Sequence, residues 1–173
     1  MMKREALQHL LYESFGALDD KRIMALTDYG EARGEKREGQ IAVGSVILER
    51  VEHRGWDGKT IQDVCLMPGQ FSCFLPDDPN FESLKMIAGD WDAKYYKSIV
   101  LQTIYAIASG LIDGTIPRDQ DIARVHCCQY VTGRHRRYMD EHPEIPGDRW
   151  WQRMKILKAL GAHEFYCEMV RHG

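Results

Sequence analysis

The stretch Tyr29-Gly30-Glu31-Ala32-Arg33-Gly34-Glu35 sets two carboxylates and an arginine between glycines, and the apolar run Ile41 to Leu48 follows almost at once. A carboxyl group held against apolar surface loses hydration, which disfavours its charged form and suits the work of a general acid. The glycines admit close approach of another backbone or of a ligand. Glu31, Glu35 and Glu38 fall at i, i+4 and i+7, a spacing that would align them on one helical face, but Gly30, Gly34 and Gly39 argue against a continuous helix. The bland alternative for such a cluster is a solvated acidic turn.

The elements that must position this turn follow from periodicity and punctuation. Leu7, Leu10, Leu11 and Phe15 predict an amphipathic docking helix over residues 3–15, ended by Gly16. Asp19 or Asp20 caps a second helix with Ile23 and Leu26 inward, and Gly30 marks its end, so that Glu31 lies at or just past a helix C-terminus. From Gly39 to about His53 apolar residues cover more than one face, the pattern of a central helix packed on most sides. Residues 55–80 are rich in Gly and Pro and read as loop, with a short helix from Thr60 to Leu66. Asn80 caps a helix to about Ala88. A longer helix is expected from Asp92 to Ser109, with Tyr96, Ile99, Val100, Ile104, Ile107 and Leu111 buried and Gly110 ending it. Beyond Pro117 only short strands or turns can be assigned, and Met154 to Met169 reads equally as a helix or as a hairpin about Gly161-Ala162.

Composition bounds the partners. A chain of 173 residues can bury its own core as one domain, and a formal charge of -3 lacks the overall field of a nucleic-acid binder, although Arg134, His135, Arg136 and Arg137 form a local basic patch. Glu5, Gln8, His9, Glu13 and Ser14 interrupt any hydrophobic segment after Met1-Met2-Lys3-Arg4, so no secretory signal is read; the apolar stretches fall far short of the ~20 residues that cross a bilayer. The expectation is a chain made in the cytoplasm that neither inserts in a membrane nor binds nucleic acid. Five cysteines without a Cys-x-x-Cys pair indicate reduced thiols rather than a disulfide framework. His126, Cys127, Cys128, His135 and His142 match no standard zinc spacing, and no metal or other cofactor is expected.

The motifs taken together resemble the SleB/CwlJ-type cell-wall hydrolase domain of spore-cortex-lytic enzymes. Tyr29 to Glu35 with Glu38-Gly39-Gln40 and Ala42 to Val51 resembles its opening; Pro68-Gly69-Gln70-Phe71-Ser72 resembles the loop after its central helix; Leu160-Gly161-Ala162-His163-Glu164-Phe165-Tyr166 resembles its closing segment. The resemblance spans residues 22–166 in order. It implies an α+β, predominantly helical, compact lysozyme-like single domain over residues 1–173 with a small β hairpin. The implied substrate is the peptidoglycan glycan strand, cleaved between N-acetylmuramic acid and N-acetylglucosamine.

By the same resemblance Glu31 is the catalytic acid of a lytic transglycosylase. One carboxylic acid protonates the glycosidic oxygen and then assists attack of the muramoyl 6-hydroxyl on C1, so no second carboxylate is needed. Phe71 and Ser72 would line the sugar groove, with Gln70, Tyr29 and His163 as further substrate contacts, while Arg33 and Glu35 would pair and support the turn. Phe71 also reads as a buried loop anchor, and His163 as a hydrogen-bonded structural residue. Ala123-Arg124-Val125-His126 loosely resembles a small family strand, and the basic stretch from Arg134 to Trp151 departs from the family pattern.

Three rivals stand beside this reading: a hydrolytic muramidase in which Glu35 or a loop aspartate assists water, a non-catalytic wall-glycan binder, and, more remotely, a metal-dependent amidase. A monomer is expected. Without a signal or an attached wall-binding module, delivery would resemble that of a phage endolysin or of a spore enzyme assembled in a mother cell.

Overall fold

The computed structural model describes residues 3–53, 58–127 and 129–168. Helices α1 (Arg4–Phe15), α2 (Asp20–Ala32), α3 (Arg37–His53), α4 (Ile61–Cys65), α5 (Phe81–Gly89), α6 (Trp91–Lys97) and α7 (Ile99–Asp113) build the larger part. The smaller part comprises α8 (Gln120–Arg124), β1 (Gln129–Thr132), α9 (Gly133–Glu141), β2 (Met154–Leu160) and β3 (His163–Glu168), with short 3-10 turns at Ser72–Phe74 and Trp150–Arg153. The strands form an antiparallel sheet in the order β1-β3-β2. No helix among the described residues is long and apolar enough to cross a membrane.

Helix α2 starts where expected because the Asp19 carboxylate accepts from the Arg22 amide at 2.8 Å. It then buries Ile23, Met24, Ala25 and Leu26 completely, and packs most extensively on α7. Helix α3 is buried almost continuously from Gly39 to Arg50, as its all-round apolar pattern requires. Phe15 anchors one end of this core, its ring 4.9 Å from Phe74 and 5.9 Å from Phe81. A second apolar cluster, with Ala42, Val43, Val46, Ile122 and Phe165, joins α3 to α8 and the sheet.

The single long helix expected from Asp92 to Ser109 is two helices. Ser98 leaves helical geometry and its hydroxyl accepts from the Leu101 amide at 3.2 Å, restarting the chain as α7. This break shifts the buried stripe to Leu101, Ile104, Ile107 and Leu111, and leaves Tyr96, Ile99 and Val100 exposed. Gly110 lies inside α7, which ends at the left-handed Gly114. Ala123 and Arg124 belong to α8 rather than to a strand, and the strand of this region begins at Gln129.

The last segment resolves as a hairpin. Its turn at Gly161 has φ +57°, and a Cβ there would lie 1.5 Å from Glu35 Oε2. The Glu35 carboxylate occupies that space to accept from the Ala162 amide at 3.0 Å, so the hairpin tip is tied to the loop after α2. Pairing of Thr132 with His163 and of Leu160 with His163 then fixes β1 and β2 on either side of β3.

Gly161→Ala is expected to lower stability by at least about 1–2 kcal/mol, because it adds left-handed strain and displaces Glu35. In thermal unfolding followed by circular dichroism that corresponds to roughly 2–8 °C for a domain of this size. Gly34→Ala, whose added Cβ meets nothing within 4 Å, serves as the neutral comparison.

Candidate active site

Glu31 lies in the last turn of α2, which runs through Gly30 to Ala32 instead of ending at the glycine. Gly30 serves a different purpose. A Cβ at this position would sit 2.6 Å from the Cβ of Cys73, so only glycine lets the 3-10 turn at 72–74 close onto the helix. That closeness brings the Cys73 amide 3.1 Å and the Ser72 hydroxyl 3.3 Å from Glu31 Oε1, both donating. From the other side, the Tyr130 hydroxyl on β1 donates to Glu31 Oε2 at 3.2 Å.

The carboxylate opens into a groove of about 540 Å³. Gly69, Gln70, Ser72 and Leu75 form one wall; Gln129 to Thr132, His135, Asp148, Trp150 and Trp151 form the other. The aromatic wall is held from behind. Trp151 Nε1 donates to Asp140 Oδ1 at 3.0 Å, the Trp150 ring lies 5.4 Å from that of Tyr166, and Arg149 donates to the carbonyls of Met139 and His142 at 2.7 and 2.8 Å. Such a groove, polar at the floor and aromatic at the side, suits a pyranose, whose hydroxyls hydrogen-bond while its C–H face stacks on a ring.

Two buried charged or ionisable groups back the floor. The Arg50 guanidinium lies 4.8 Å from the Phe71 ring centre and 6.0 Å from that of Tyr130, which places a cation over two aromatic faces. Asp28, one turn before Glu31, is buried and its Oδ1 has no hydrogen-bond partner among the described residues. Burial, reinforced by the Glu31 charge, pushes its carboxyl well above the usual carboxylate range, which favours the neutral acid. Burial and then the Glu31 charge push the Tyr130 hydroxyl up in the same way, which keeps it a donor.

The residues singled out in the sequence therefore divide. Glu31, Gln70 and Ser72 meet in the groove. Phe71 is buried at 2% exposure beneath Arg50, the loop-anchor alternative, and does not face the groove. Tyr29 packs beside the helical core with Arg33 over its ring at 5.4 Å, away from the groove lining. Arg33 and Glu35 do not pair: Arg33 donates to the Tyr29 carbonyl, while Glu35 faces Ala162 and His163. His163 is buried, with Nδ1 3.5 Å from Glu35 Oε1 and its ring edge-on to Tyr130. Burial lowers its pKa against the pull of Glu35 and then Glu31, which favours the neutral imidazole.

Sequence reasoning missed Tyr130, Thr132, His135, Asp148, Trp150 and Trp151. A visible signal was the adjacent pair Trp150-Trp151 in an otherwise polar stretch.

Comparison with known proteins bears on the fold and on the family. A solved structure, the catalytic domain of the Bacillus cereus SleB protein, shares the fold with a TM-score of 0.50 over 85% of this chain and 88% of that one, at 23% identity. A spore cortex-lytic enzyme of Oceanobacillus iheyensis is 35% identical over 89 residues, which are 45% of this chain and 32% of that relative. The chain thus matches about a third of that curated relative's length. The family model described as cell wall hydrolase matches residues 34–166, a span that opens just after Glu31 and holds both groove walls. With that model covering most of its length, the chain belongs to the cell wall hydrolase family.

Proposed function

We propose that this protein cleaves the peptidoglycan glycan strand between N-acetylmuramic acid and N-acetylglucosamine as a lytic transglycosylase, with Glu31 as its acid and base. The observation that carries this reading is one carboxylate on a groove floor, each oxygen held from a different segment. The Cys73 amide can only donate, so it keeps Oε1 an acceptor and leaves the proton to Oε2. The Tyr130 hydroxyl beside Oε2 can donate or accept, and stays bonded in both protonation states.

In this mechanism the Glu31 proton passes to the glycosidic oxygen as the C1–O bond breaks. The carboxylate then takes the proton of the muramoyl 6-hydroxyl while that oxygen bonds to C1. A 1,6-anhydro sugar leaves and Glu31 is protonated again. The burial that raises the Asp28 pKa disfavours a second anion beneath the reacting carboxylate, and Trp150 offers the stacking surface for a sugar ring.

A hydrolytic muramidase is the second reading, and Asp148 favours it, as a further carboxylate lining the same groove. There Asp148 would activate water instead of the substrate supplying its own nucleophile. Arg153 already engages both Asp148 oxygens at 3.0 Å, which weakens it as a base. Glu35 is spent on the hairpin tip and supports neither scheme.

Glu31→Gln is expected to slow turbidity clearing of purified cell walls by roughly a hundred- to ten-thousand-fold with an unchanged circular dichroism spectrum. Wild-type lysis by this variant would remove Glu31 from the mechanism. Mass spectrometry of the released fragments separates the two chemistries: anhydro ends are expected, and reducing ends that disappear in Asp148→Asn would establish the muramidase.

Asp28 gives a prediction for stability. Its carboxyl is pushed well above its ordinary value when folded and returns to that value, near 3.8, when unfolded. Above about pH 4 the folded state therefore holds the extra proton, and stability falls as pH rises toward the folded value. Asp28→Asn abolishes this term, so urea unfolding should show the variant gaining on the wild type as pH rises above about 4.

A further inference from the structure

We propose that Glu49, His53 and His126 form a binding site for a divalent transition-metal cation, with zinc the best fit. Glu49 and His53 stand one turn apart near the end of α3, and His126 reaches them from the turn after α8. Glu49 Oε2 lies 2.9 Å from His126 Nδ1 and 3.5 Å from His53 Nε2. One donor atom from each residue lies within 4.8 Å of the other two. Ligands of a tetrahedral zinc ion stand roughly 3.3–3.6 Å apart, given metal–ligand distances of about 2.0–2.2 Å, so small side-chain adjustments would close the set.

Several features make this more than an ion pair. Two imidazoles and one carboxylate are the borderline donor set that zinc prefers over harder cations, with a fourth position left for water. The Glu49 carboxylate is 2% exposed and already oriented: its Oε1 accepts from Arg118 Nη1 at 3.0 Å, which turns Oε2 toward the histidines. Arg118 also binds Glu52, so the neighbouring carboxylate is engaged as well. His126 has φ +50°, a left-handed backbone uncommon outside glycine, and this conformation brings its ring within 3.8 Å of the His53 ring. The two imidazoles are 40% and 57% exposed, so an ion can reach them from solvent.

The neighbours weighed with His126 in the sequence are committed elsewhere or lie outside the described residues. The Cys127 thiol donates to the Tyr166 carbonyl at 2.8 Å, His135 lines the groove and His142 meets Glu144; Cys128 is not among the described residues. The ligands come instead from α3, distant in sequence. An ion here would join the segment that continues into Arg50 to the one that leads to Tyr130, and both of those residues line the groove.

Isothermal titration of the full chain with zinc chloride, in buffer free of chelators, is expected to give one ion per chain. His53→Ala and His126→Ala should each weaken that binding by at least about 10- to 100-fold. Zinc at about a hundred times the wild-type dissociation constant should raise the unfolding midpoint of the wild type by roughly 5–10 °C, of a variant weakened 10-fold by about half as much, and of one weakened 100-fold by only about 1–2 °C. Circular dichroism checks that each variant is folded; the two histidines lie on different elements, so one folded variant suffices. The proposal is overturned if no stoichiometric binding occurs, or if a folded variant binds zinc as tightly as the wild type.

Discussion

A helix uses its own amides internally, and its last turn exposes carbonyls, not N–H groups. Glu31 sits in such a turn, so α2 cannot supply the donors that hold its carboxylate. They have to come from elsewhere in the chain, and they do: one backbone amide and one hydroxyl from the 72–74 turn, and one phenol from β1. Much of the architecture around the groove serves this requirement. Gly30 removes the side chain that would hold the 72–74 turn away, and the sheet carries Tyr130 to the other oxygen.

The sheet can do this only if its position against α2 and α3 is fixed. Phe165 enters the apolar cluster with Val43 and Val46, which seats β3 on α3. Glu35 grips the turn between β2 and β3, which fixes the hairpin along its length. Arg50 completes the floor from α3. Its charge is removed from bulk water, and the faces of Phe71 and Tyr130 stand in for part of the lost hydration. Burying Phe71 therefore bears on the site after all, as support for a cation under the groove.

The helices were legible where local rules decide. The start of α2 to within the pair Asp19-Asp20, the stripe of α1 and the all-round burial of α3 could be read directly. Ser98 was not read as a break because apolar residues continue on both sides of it, and only its cap contact with Leu101 shows the interruption. Helix α9 was missed because Arg134, His135, Arg136 and Arg137 hide any apolar period; its order comes from the Thr132 cap and from Arg136 meeting Glu164 on β3. The groove was half legible. Glu31, Gln70 and Ser72 belong to readable motifs, whereas Tyr130 and the tryptophans gain their meaning from strand pairing and loop bracing between distant residues. Periodicity carries no information on such pairings.

The two acids of the opening motif show how similar local chemistry is divided by what reaches it. Glu31 and Glu35 are four residues apart and both accept backbone amides. Glu35 spends its carboxylate on Ala162, with His163 beside it, and the space around it is filled by the hairpin. Glu31 has donors from two segments on its two oxygens and still opens into the groove. A carboxylate enclosed by the fold can stabilise it but cannot reach a substrate. One held by donors and open on a remaining side can do both, and among the motif's acids that geometry belongs to Glu31.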